Sequence, residues 1–214
     1  MERAAVTAQL GYLAHTMTAG ARQKMTLSDY VTREATSETR HEHVNLEAFA
    51  MARGTPVHAR LAARITVALG RALDGSPCEP SGSDQRVRTP SGLSSYPDVA
   101  VFCGPIQTSD DDTLAATNPA LLVEILSESS EAYDRGAKFA HDRSIPGLKE
   151  YLLADFREPS LTSHARSADG TWISSFAEQG ETLVLRSLDV RLEVDALYRG
   201  MVVDPEEGRL VPAG

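Results

Sequence analysis

The sequence predicts an α/β fold in which a mixed central sheet is flanked by helices and extended by antiparallel strands near the C-terminus. Three observations predict it. A long amphipathic pattern precedes three short apolar segments, a second helical pattern runs directly into another apolar strand, and alternating segments then follow around Asp-Gly and Gln-Gly pairs. A helix between two strands of one sheet is typical of a crossover to a parallel strand.

The N-terminal part of the chain has weak patterns. Residues 1–24 are small and polar, which predicts a flexible extension. A short helical pattern follows around Tyr30, after a start rich in Thr and Ser. Residues 42–51 alternate weakly between apolar and polar, and Asn45 has turn character, so we expect a loose hairpin there.

The clearest helix covers residues 57–73. Its apolar residues recur at helical spacing and it ends at Asp74-Gly75. The apolar residues are Leu61, Ile65 and Leu69. Its other side carries three arginines, which either face solvent or form a row that follows phosphates. They are Arg60, Arg64 and Arg71.

The rest of the chain predicts alternating elements. We expect strands within residues 78–87, 96–103 and 120–126, with an acidic loop at 109–112, and then a helix over residues 131–144 and a buried strand over 150–154. In that helix the inward face is predicted to contain Tyr133, Ala137 and Ala140.

Later segments predict the antiparallel extension and the end of the domain. They are residues 161–167, 171–177 and 181–190. We expect one domain over residues 25–201 and a C-terminal tail over 202–214.

Composition excludes several classes of protein. A net charge of -9 argues against a protein that coats nucleic acid non-specifically, although it allows a local basic groove. No run of 18 apolar residues exists and no secretory signal is visible, so we expect a soluble cytoplasmic protein with no membrane partner. Cys78 and Cys103 have no metal-binding or disulfide-framework spacing and are predicted to be buried strand residues.

One acidic residue stands out because it lies inside an apolar strand. Glu124 in the run LLVEIL needs a cationic partner, since a buried carboxylate costs several kcal/mol without one. If its strand neighbours the one that follows Asp98, the two carboxylates converge on a hard cation such as Mg²⁺. The alternative is an ion pair between Glu124 and Arg86 or Arg88, with Asp98 merely beginning a strand.

A lysine is expected near such a pair of acids in a metal-dependent nuclease. Position 126 shares a strand face with Glu124 but is Leu126, so the Glu-x-Lys arrangement fails there. Lys138, on the following helix and one of only three lysines, is able to reach the same place. The alternative for Lys138 is a surface ion pair with Asp134 or Asp142.

Four segments together resemble a known family. They are HEHVNLEAFAM, GSDQRVR, YPDVAVF and NPALLVEILSESSEAYDRGAKFAHDRSIPGLKEYLLAD. They are similar to the Uma-type endonuclease family, a family of domains of unknown function in the PD-(D/E)xK restriction-endonuclease-like superfamily, over residues 25–201. The resemblance implies that superfamily's αβββαβ core. The family usually has Asp-Gly in the hairpin where this chain has Asn45-Leu46, which puts a tight turn in doubt.

The resemblance also implies roles for individual residues. Asp98 and Glu124 would bind Mg²⁺ or Mn²⁺ together with the Ile125 carbonyl, and Lys138 would be the displaced lysine. Glu42 and His58 match two weaker family positions. For Glu42 the alternative is an exposed strand acid, for His58 a hydrogen-bonding group at a helix N-terminus, and for Asp84 the choice is between a supporting acid and a turn former.

These residues favour a Mg²⁺- or Mn²⁺-dependent endonuclease that hydrolyses phosphodiester bonds in DNA. The acidic total charge then predicts a confined basic cleft formed by Arg60, Arg64, Arg86, Arg88, Arg135 and Arg143. A homodimer is expected from duplex geometry and the resemblance. The alternatives are an inactive nucleic-acid- or protein-binding module on a nuclease fold, for which Leu126 speaks, and a small-molecule or toxin-like hydrolase with the same metal site.

Overall fold

A computed structural model describes residues 23–51, 54–204, 206–207 and 209–213. The helices are α1 (Leu27–Glu34), α2 (Pro56–Ala72), α3 (residues 131–142) and α4 (Val194–Tyr198). The strands are β1 (Gln23–Lys24), β2 (His41–Val44), β3 (Glu47–Ala50), β4 (Cys78–Gly82), β5 (Arg86–Arg88), β6 (Ser94–Ser95), β7 (Val99–Cys103), β8 (Thr108–Ser109), β9 (Asp112–Ala116), β10 (Leu121–Ile125), β11 (Glu150–Ala154), β12 (Ser160–Arg166), β13 (Trp172–Glu178), β14 (Thr182–Leu185), β15 (Val190–Glu193), β16 (Met201–Asp204) and β17 (Arg209–Pro212).

The first sheet has seven short strands in the order β1-β3-β2-β6-β5-β9-β8. Its predicted hairpin exists and is tighter than expected, because Asn45 and Leu46 alone connect β2 to β3, with φ angles of 53° and 62°. Two successive positive φ angles are typical of a two-residue type I′ turn. The hairpin therefore forms without the family's usual glycine.

The second sheet has six strands in the order β13-β12-β11-β10-β7-β4. Strands β10 and β11 are parallel and the other pairs are antiparallel, so the predicted crossover through the second long helix is confirmed. Helix α2 packs one apolar face on this sheet, as its periodicity predicts. Leu61, Ile65 and Leu69 are fully buried there against strand residues such as Val99 and Val123.

Helix α3 covers the opposite face and is irregular. Its middle turn, Asp134–Lys138, is a π-helix between two α-helical segments, Glu131–Tyr133 and Phe139–Asp142. A π-turn contains an extra residue, so the inward positions shift along the helix. Ala140, predicted to face inward, is therefore exposed, while Lys138 and Asp142 are buried.

The chain ends differ from the expectations. Gln23–Lys24, placed in the predicted extension, pairs with β3, and residues 1–22 lie outside the described residues. The predicted tail contains the hairpin β16–β17, whose Leu210 is buried in the core. Residues 181–190, expected to be one strand, contribute to the hairpin β14–β15.

Two further predictions need correction. Cys78 and Cys103 are opposite each other in the β4–β7 pair and form a disulfide, with Cys103 exposed rather than buried. The acidic loop at 109–112 belongs to the β8–β9 pair. No helix in the described part of the chain has the length and apolar character needed to cross a membrane.

Candidate active site

Asp98 and Glu124 lie side by side at the ends of two antiparallel strands. The β7–β10 register pairs Val99 with Val123, so one step further places Asp98 opposite Glu124. Both belong to the sheet face covered by α3, because residues two apart on a strand share a face and Ala100 and Leu122 are packed there. The predicted convergence of these two acids is present in the fold.

Two donors hold the Asp98 carboxylate. The Ile125 backbone N–H donates to Oδ2 at 2.7 Å, and His58 Nε2 lies 3.2 Å from the same oxygen. Both contacts use Oδ2, so Oδ1 accepts from neither donor. The carbonyl of a strand residue points to the same side as its N–H, so the Ile125 carbonyl faces the Asp98 side of β10.

Lys138 lies at the centre of a buried cluster of carboxylates. Its Nζ is 2.9 Å from Glu124 Oε1, 3.0 Å from Glu42 Oε1 and 3.8 Å from Asp134 Oδ1. Its side chain is only 4% exposed, as buried as those of its three partners. We call Glu42, Glu124, Asp134, Lys138 and Asp142 the lysine cluster.

The lysine cluster contains more negative than positive groups. Burial would lower the pKa of Lys138, but the charges of Glu124, Glu42 and Asp134 outweigh it and raise that pKa well above its usual value. Burial raises the pKa of Glu124 strongly, and it raises the pKa of Asp134 to about 6 against the opposing charge of Lys138. The cluster therefore holds protons more tightly than isolated carboxylates do.

Asp142 is the most isolated acid in the lysine cluster. It is fully buried, and neither of its carboxylate oxygens has a hydrogen-bond partner among the described residues. Burial raises the pKa of Asp142 to about 7, with further contributions from Glu42 and Asp134. Glu42 Oε2 is likewise buried and without such a partner in the described chain.

The lysine cluster opens on a cavity of about 980 Å³. The cluster members on its wall are Glu42, Glu124 and Asp134, and Asp98, Ile125 and His58 line the same wall. A cavity of this size is large enough to admit part of a polymeric substrate. The surplus of negatively charged groups therefore lies where the protein is open to solvent.

The donor set fits a hard divalent cation. Asp98, Glu124 and the Ile125 carbonyl offer only oxygen, and Mg²⁺ is usually held by one or two carboxylates, with waters and substrate phosphate completing its octahedron. In the described chain no group of three or more His, Cys, Asp or Glu side chains is arranged to hold a metal. A site built from two carboxylates and a carbonyl needs no such group.

Helix α3 explains why Lys138 reaches the sheet. In a regular helix, residues four apart share a face, and Asp134 and Lys138 are four apart at the ends of the π-turn. The turn aims both side chains inward. π-turns of this kind occur often at functional sites.

The structure brings all the predicted site residues together. Asp98, Glu124, Lys138, Glu42 and His58 all belong to one contiguous group. Glu42 is not the exposed strand acid of the alternative reading, since it is 4% exposed.

The alternatives for single residues are resolved by the contacts. Arg86 does not pair with Glu124 but with Asp112, and Arg88 donates to Ser94. Lys138 does contact Asp134, one of its two alternative partners, in addition to Glu42 and Glu124. Asp84 is an exposed partner of Arg40 and lies outside the lysine cluster.

The predicted basic cleft is wrong in its members. Of the arginines expected there, none lies on the described wall of the cavity. Arg86 is buried with Asp112, and Arg64 donates to the carbonyls of Leu197 and Arg199 at the end of α4. Arg40 and Arg209 line the cavity instead.

Sequence reasoning missed two members of this region. Asp142 was considered only as a surface partner of Lys138, and Tyr133 only as an apolar helix residue. Burial raises the pKa of the Tyr133 hydroxyl well above its usual value, with the Glu42 charge adding to the shift. The spacing of acids four residues before and after Lys138 is the signal that could have identified Asp142.

Comparisons with known proteins identify the family of this chain. Residues 27–196 match the model of the Uma2 family, described as "Putative restriction endonuclease". The chain belongs to the Uma2 family. Uma2 membership confirms the resemblance drawn from the four sequence segments.

Two relatives from Synechocystis sp. support the assignment to Uma2. The chain is 31% identical over 179 residues to the uncharacterized protein slr1290, covering 83% of this chain and 93% of that protein. It is 30% identical over 150 residues to the uncharacterized protein sll1609, covering 70% and 85% respectively.

A solved structure supports the fold. A crystal structure from Anabaena variabilis ATCC 29413, described as "a putative nuclease belonging to DUF820", superimposes with a TM-score of 0.67. The match covers 81% of this chain and 97% of that chain at 14% identity. The α/β fold with a mixed sheet is therefore shared with that chain.

Proposed function

We propose that this protein is a divalent-metal-dependent endonuclease that hydrolyses phosphodiester bonds in DNA. The observation that carries the proposal is the surplus of buried carboxylates around Lys138 on the wall of an open cavity. Uncompensated buried charge is costly, so such a surplus is expected where a further cation binds. The nuclease family and fold supply the reaction class.

Asp98, Glu124 and the Ile125 carbonyl would hold Mg²⁺ or Mn²⁺. When bound, such a cation polarises a phosphoryl oxygen and lowers the pKa of an attacking water. His58 holds Asp98 through Oδ2, together with the Ile125 N–H, and so fixes the orientation of that carboxylate. Its role is to position a metal ligand.

Lys138 would orient the water and offset developing negative charge. Its raised pKa keeps the ammonium protonated, so it donates hydrogen bonds and does not act as a general base. Glu42 and Asp134 hold the Nζ from two other sides. They restrict where the ammonium points.

The experiment is nicking of supercoiled plasmid with Mg²⁺ or Mn²⁺ beside an EDTA control. Asp98→Asn, Glu124→Gln and Lys138→Met are each expected to lower the rate of nicking by at least about 10²-fold. The matched controls are Lys149→Met, an exposed lysine of the same chain, and Glu79→Gln, an exposed strand acid; both are expected to keep wild-type activity. Circular dichroism verifies that each variant is folded.

The inactive-module alternative rests on a specific observation. Leu126, at the position where a lysine would complete the strand motif, is buried in the apolar core. Absence of metal-dependent nicking by folded wild-type protein would favour this alternative. Nicking that persists in Lys138→Met but not in Asp98→Asn would keep the metal site and reject the role of the lysine.

A further inference from the structure

We propose that the outer strands of the six-stranded sheet, together with the end of α3, bind single-stranded nucleic acid by stacking its bases and neutralising its phosphates. This surface, here called the aromatic platform, consists of Phe139, Arg143, His164, Arg166, Trp172 and Phe176. The proposal rests on the proposed function, because it specifies which form of nucleic acid the enzyme engages. Its test requires no cleavage.

Three rings of the aromatic platform, those of Phe139, His164 and Trp172, are in contact, and Phe176 lies further along the same sheet face. Phe139 stacks on His164 with ring centres 4.9 Å apart, and it meets Trp172 edge-on at 5.2 Å. The β12–β13 register pairs Thr162 with Phe176 and Arg166 with Trp172, so both aromatic residues of β13 project from the face that carries His164.

Part of this aromatic surface is open to solvent. Phe176 is 58% exposed, and His164 and Trp172 are half-buried. An exposed aromatic ring offers a flat apolar face on which a ligand can be buried. Trp172 and Phe176 both lie on β13, an edge strand of the six-stranded sheet.

Two arginines give the platform positive charge. Arg166 lies over the Trp172 ring at 4.9 Å and Arg143 over the Phe139 ring at 5.3 Å. Neither has a carboxylate within ion-pair distance among the described residues. Arg166 donates instead to the backbone carbonyls of Ile145 and Pro146, which fixes its guanidinium on the ring.

The charges around His164 indicate that the electrostatic potential at the platform is positive. Burial and the positive charges of Arg135 and Arg143 lower the pKa of His164. Arg135 is itself paired with Glu131 and Asp155, so it contributes less than Arg143. The exposed Glu178 at the end of β13 is the acid on the same face and bounds the platform there.

This chemistry favours unpaired bases over other ligands. Proteins that bind single strands combine cationic side chains along the backbone with aromatic rings on which bases stack. A duplex conceals its base faces, so it would contact the arginines but not the rings. A positive patch on a chain of net charge -9 also selects a polyanion at this place and repels it elsewhere.

Helix α3 connects the platform to the candidate active site. Lys138 and Phe139 are consecutive residues, and the first contacts Glu124 while the second stacks in the platform. A strand held on the rings would therefore be anchored on the same helix that carries the lysine of the proposed reaction.

The test uses the fact that Trp172 is the only tryptophan of the chain. Its fluorescence is titrated with a single-stranded oligothymidylate in EDTA, so that no cleavage occurs. We expect saturable quenching, and weaker quenching by a duplex of the same length. Phe176→Ala and Arg143→Ala are each expected to weaken binding about ten-fold.

The matched control is Ile173→Ala, an exposed apolar residue on the opposite face of the same strand. It should leave the affinity unchanged. Absence of quenching, equal affinity in Phe176→Ala, or tighter binding of duplex than of single strand would overturn the proposal. Loss of plasmid nicking with platform binding intact would count against the proposed function alone, whereas nicking without platform binding would count against the platform alone.

Discussion

Two groups of buried charged side chains in the described part of the chain differ in how their charges are matched. Around Arg86, the guanidinium donates to Asp112 Oδ1 at 2.7 Å and to the Tyr96 hydroxyl at 2.9 Å. The neighbouring Glu34 accepts from the Tyr96 hydroxyl and is paired with His41. Each acid in this group therefore has its own donor.

The lysine cluster has more carboxylates than cationic groups. One ammonium contacts three carboxylates, and Asp142 adds a fourth without any hydrogen-bond partner among the described residues. Arg86 and Asp112 are absent from the described wall of the cavity, whereas Glu42, Glu124 and Asp134 line it. Buried charges that are matched one to one stabilise the fold, whereas a surplus of carboxylates beside an open cavity is suited to binding a cation.

Replacing the positively charged residue at the centre of each group should show that the two groups respond differently to Mg²⁺. Arg86→Met leaves the buried Asp112 without its cationic partner, with only the Leu114 N–H donating to it, and is expected to lower the free energy of unfolding by about 3–5 kcal/mol, whether or not Mg²⁺ is present. Lys138→Met is also destabilising, but we expect Mg²⁺ to restore part of the loss because a divalent cation is able to replace the missing charge. Urea unfolding with and without Mg²⁺ measures both. Equal responses of the two variants to Mg²⁺ would show that the two groups do not differ in their ability to bind a cation.

The carboxylates of the two groups should differ in activity. Glu124→Gln is expected to reduce the rate of plasmid nicking by about 10²–10³-fold, because it removes a proposed ligand of the cation that would stabilise the transition state. Asp112→Asn, a buried acid of the matched group, should reduce stability and leave the nicking rate of the folded protein unchanged. A large loss of nicking in folded Asp112→Asn would contradict the assignment.

The pH dependence of stability should come from the lysine cluster. The pKa of Asp142 is raised to about 7 in the folded state, so the folded protein binds that proton more tightly than the unfolded chain. The contribution of Asp142 to stability is therefore fully present below its ordinary pKa of 3.8 and is lost as the pH rises from there through about 7, and Asp134, with its pKa raised to about 6, acts in the same sense.

Asp142→Asn should flatten this profile. It removes an unpaired buried charge, so we expect it to raise the free energy of unfolding at pH 8 by about 1–3 kcal/mol and to change it little at pH 4. Thermal unfolding at both pH values measures the difference. A variant less stable than wild type at pH 8 would show that Asp142 has a stabilising partner.

The smallest effect concerns the hairpin that carries Glu42. Leu46 has a φ of 62° and is 63% exposed. Leu46→Gly should relieve backbone strain and raise stability by about 1 kcal/mol without altering nicking, because Glu42 keeps its position. Val67→Gly, an exposed residue within α2, is the opposite control and should destabilise by about a few tenths of a kcal/mol. A destabilised Leu46→Gly would show that the leucine makes a contact needed by the hairpin.

The sequence predicted most of the second sheet because its strands and α2 follow simple periodicity. It also predicted that Asp98 and Glu124 lie close together. A carboxylate inside an apolar strand is unusual, so Glu124 could be recognised from the residues on either side of it. The pairing of Arg86 with Asp112 was not predictable, because it depends on β5 lying beside β9, a strand concealed in an acidic segment.

Other errors have the same physical origin. The Cys78–Cys103 disulfide depends on the register of β4 against β7, which separation along the chain does not reveal. The exposure of Ala140 depends on one π-turn, which shifts the inward face of α3. Long-range register and a single irregular turn are thus the features that sequence periodicity cannot supply.

Direct binding of Mn²⁺, measured by electron paramagnetic resonance of the free ion, is the measurement that tests the proposed metal site with the fewest assumptions. We expect one bound ion per chain in the wild-type protein, loss of that ion in the double variant Asp98→Asn/Glu124→Gln, and its retention in folded Asp112→Asn. Wild-type protein that binds no Mn²⁺, or a double variant that binds it as tightly as wild type, would show that these two carboxylates hold no metal.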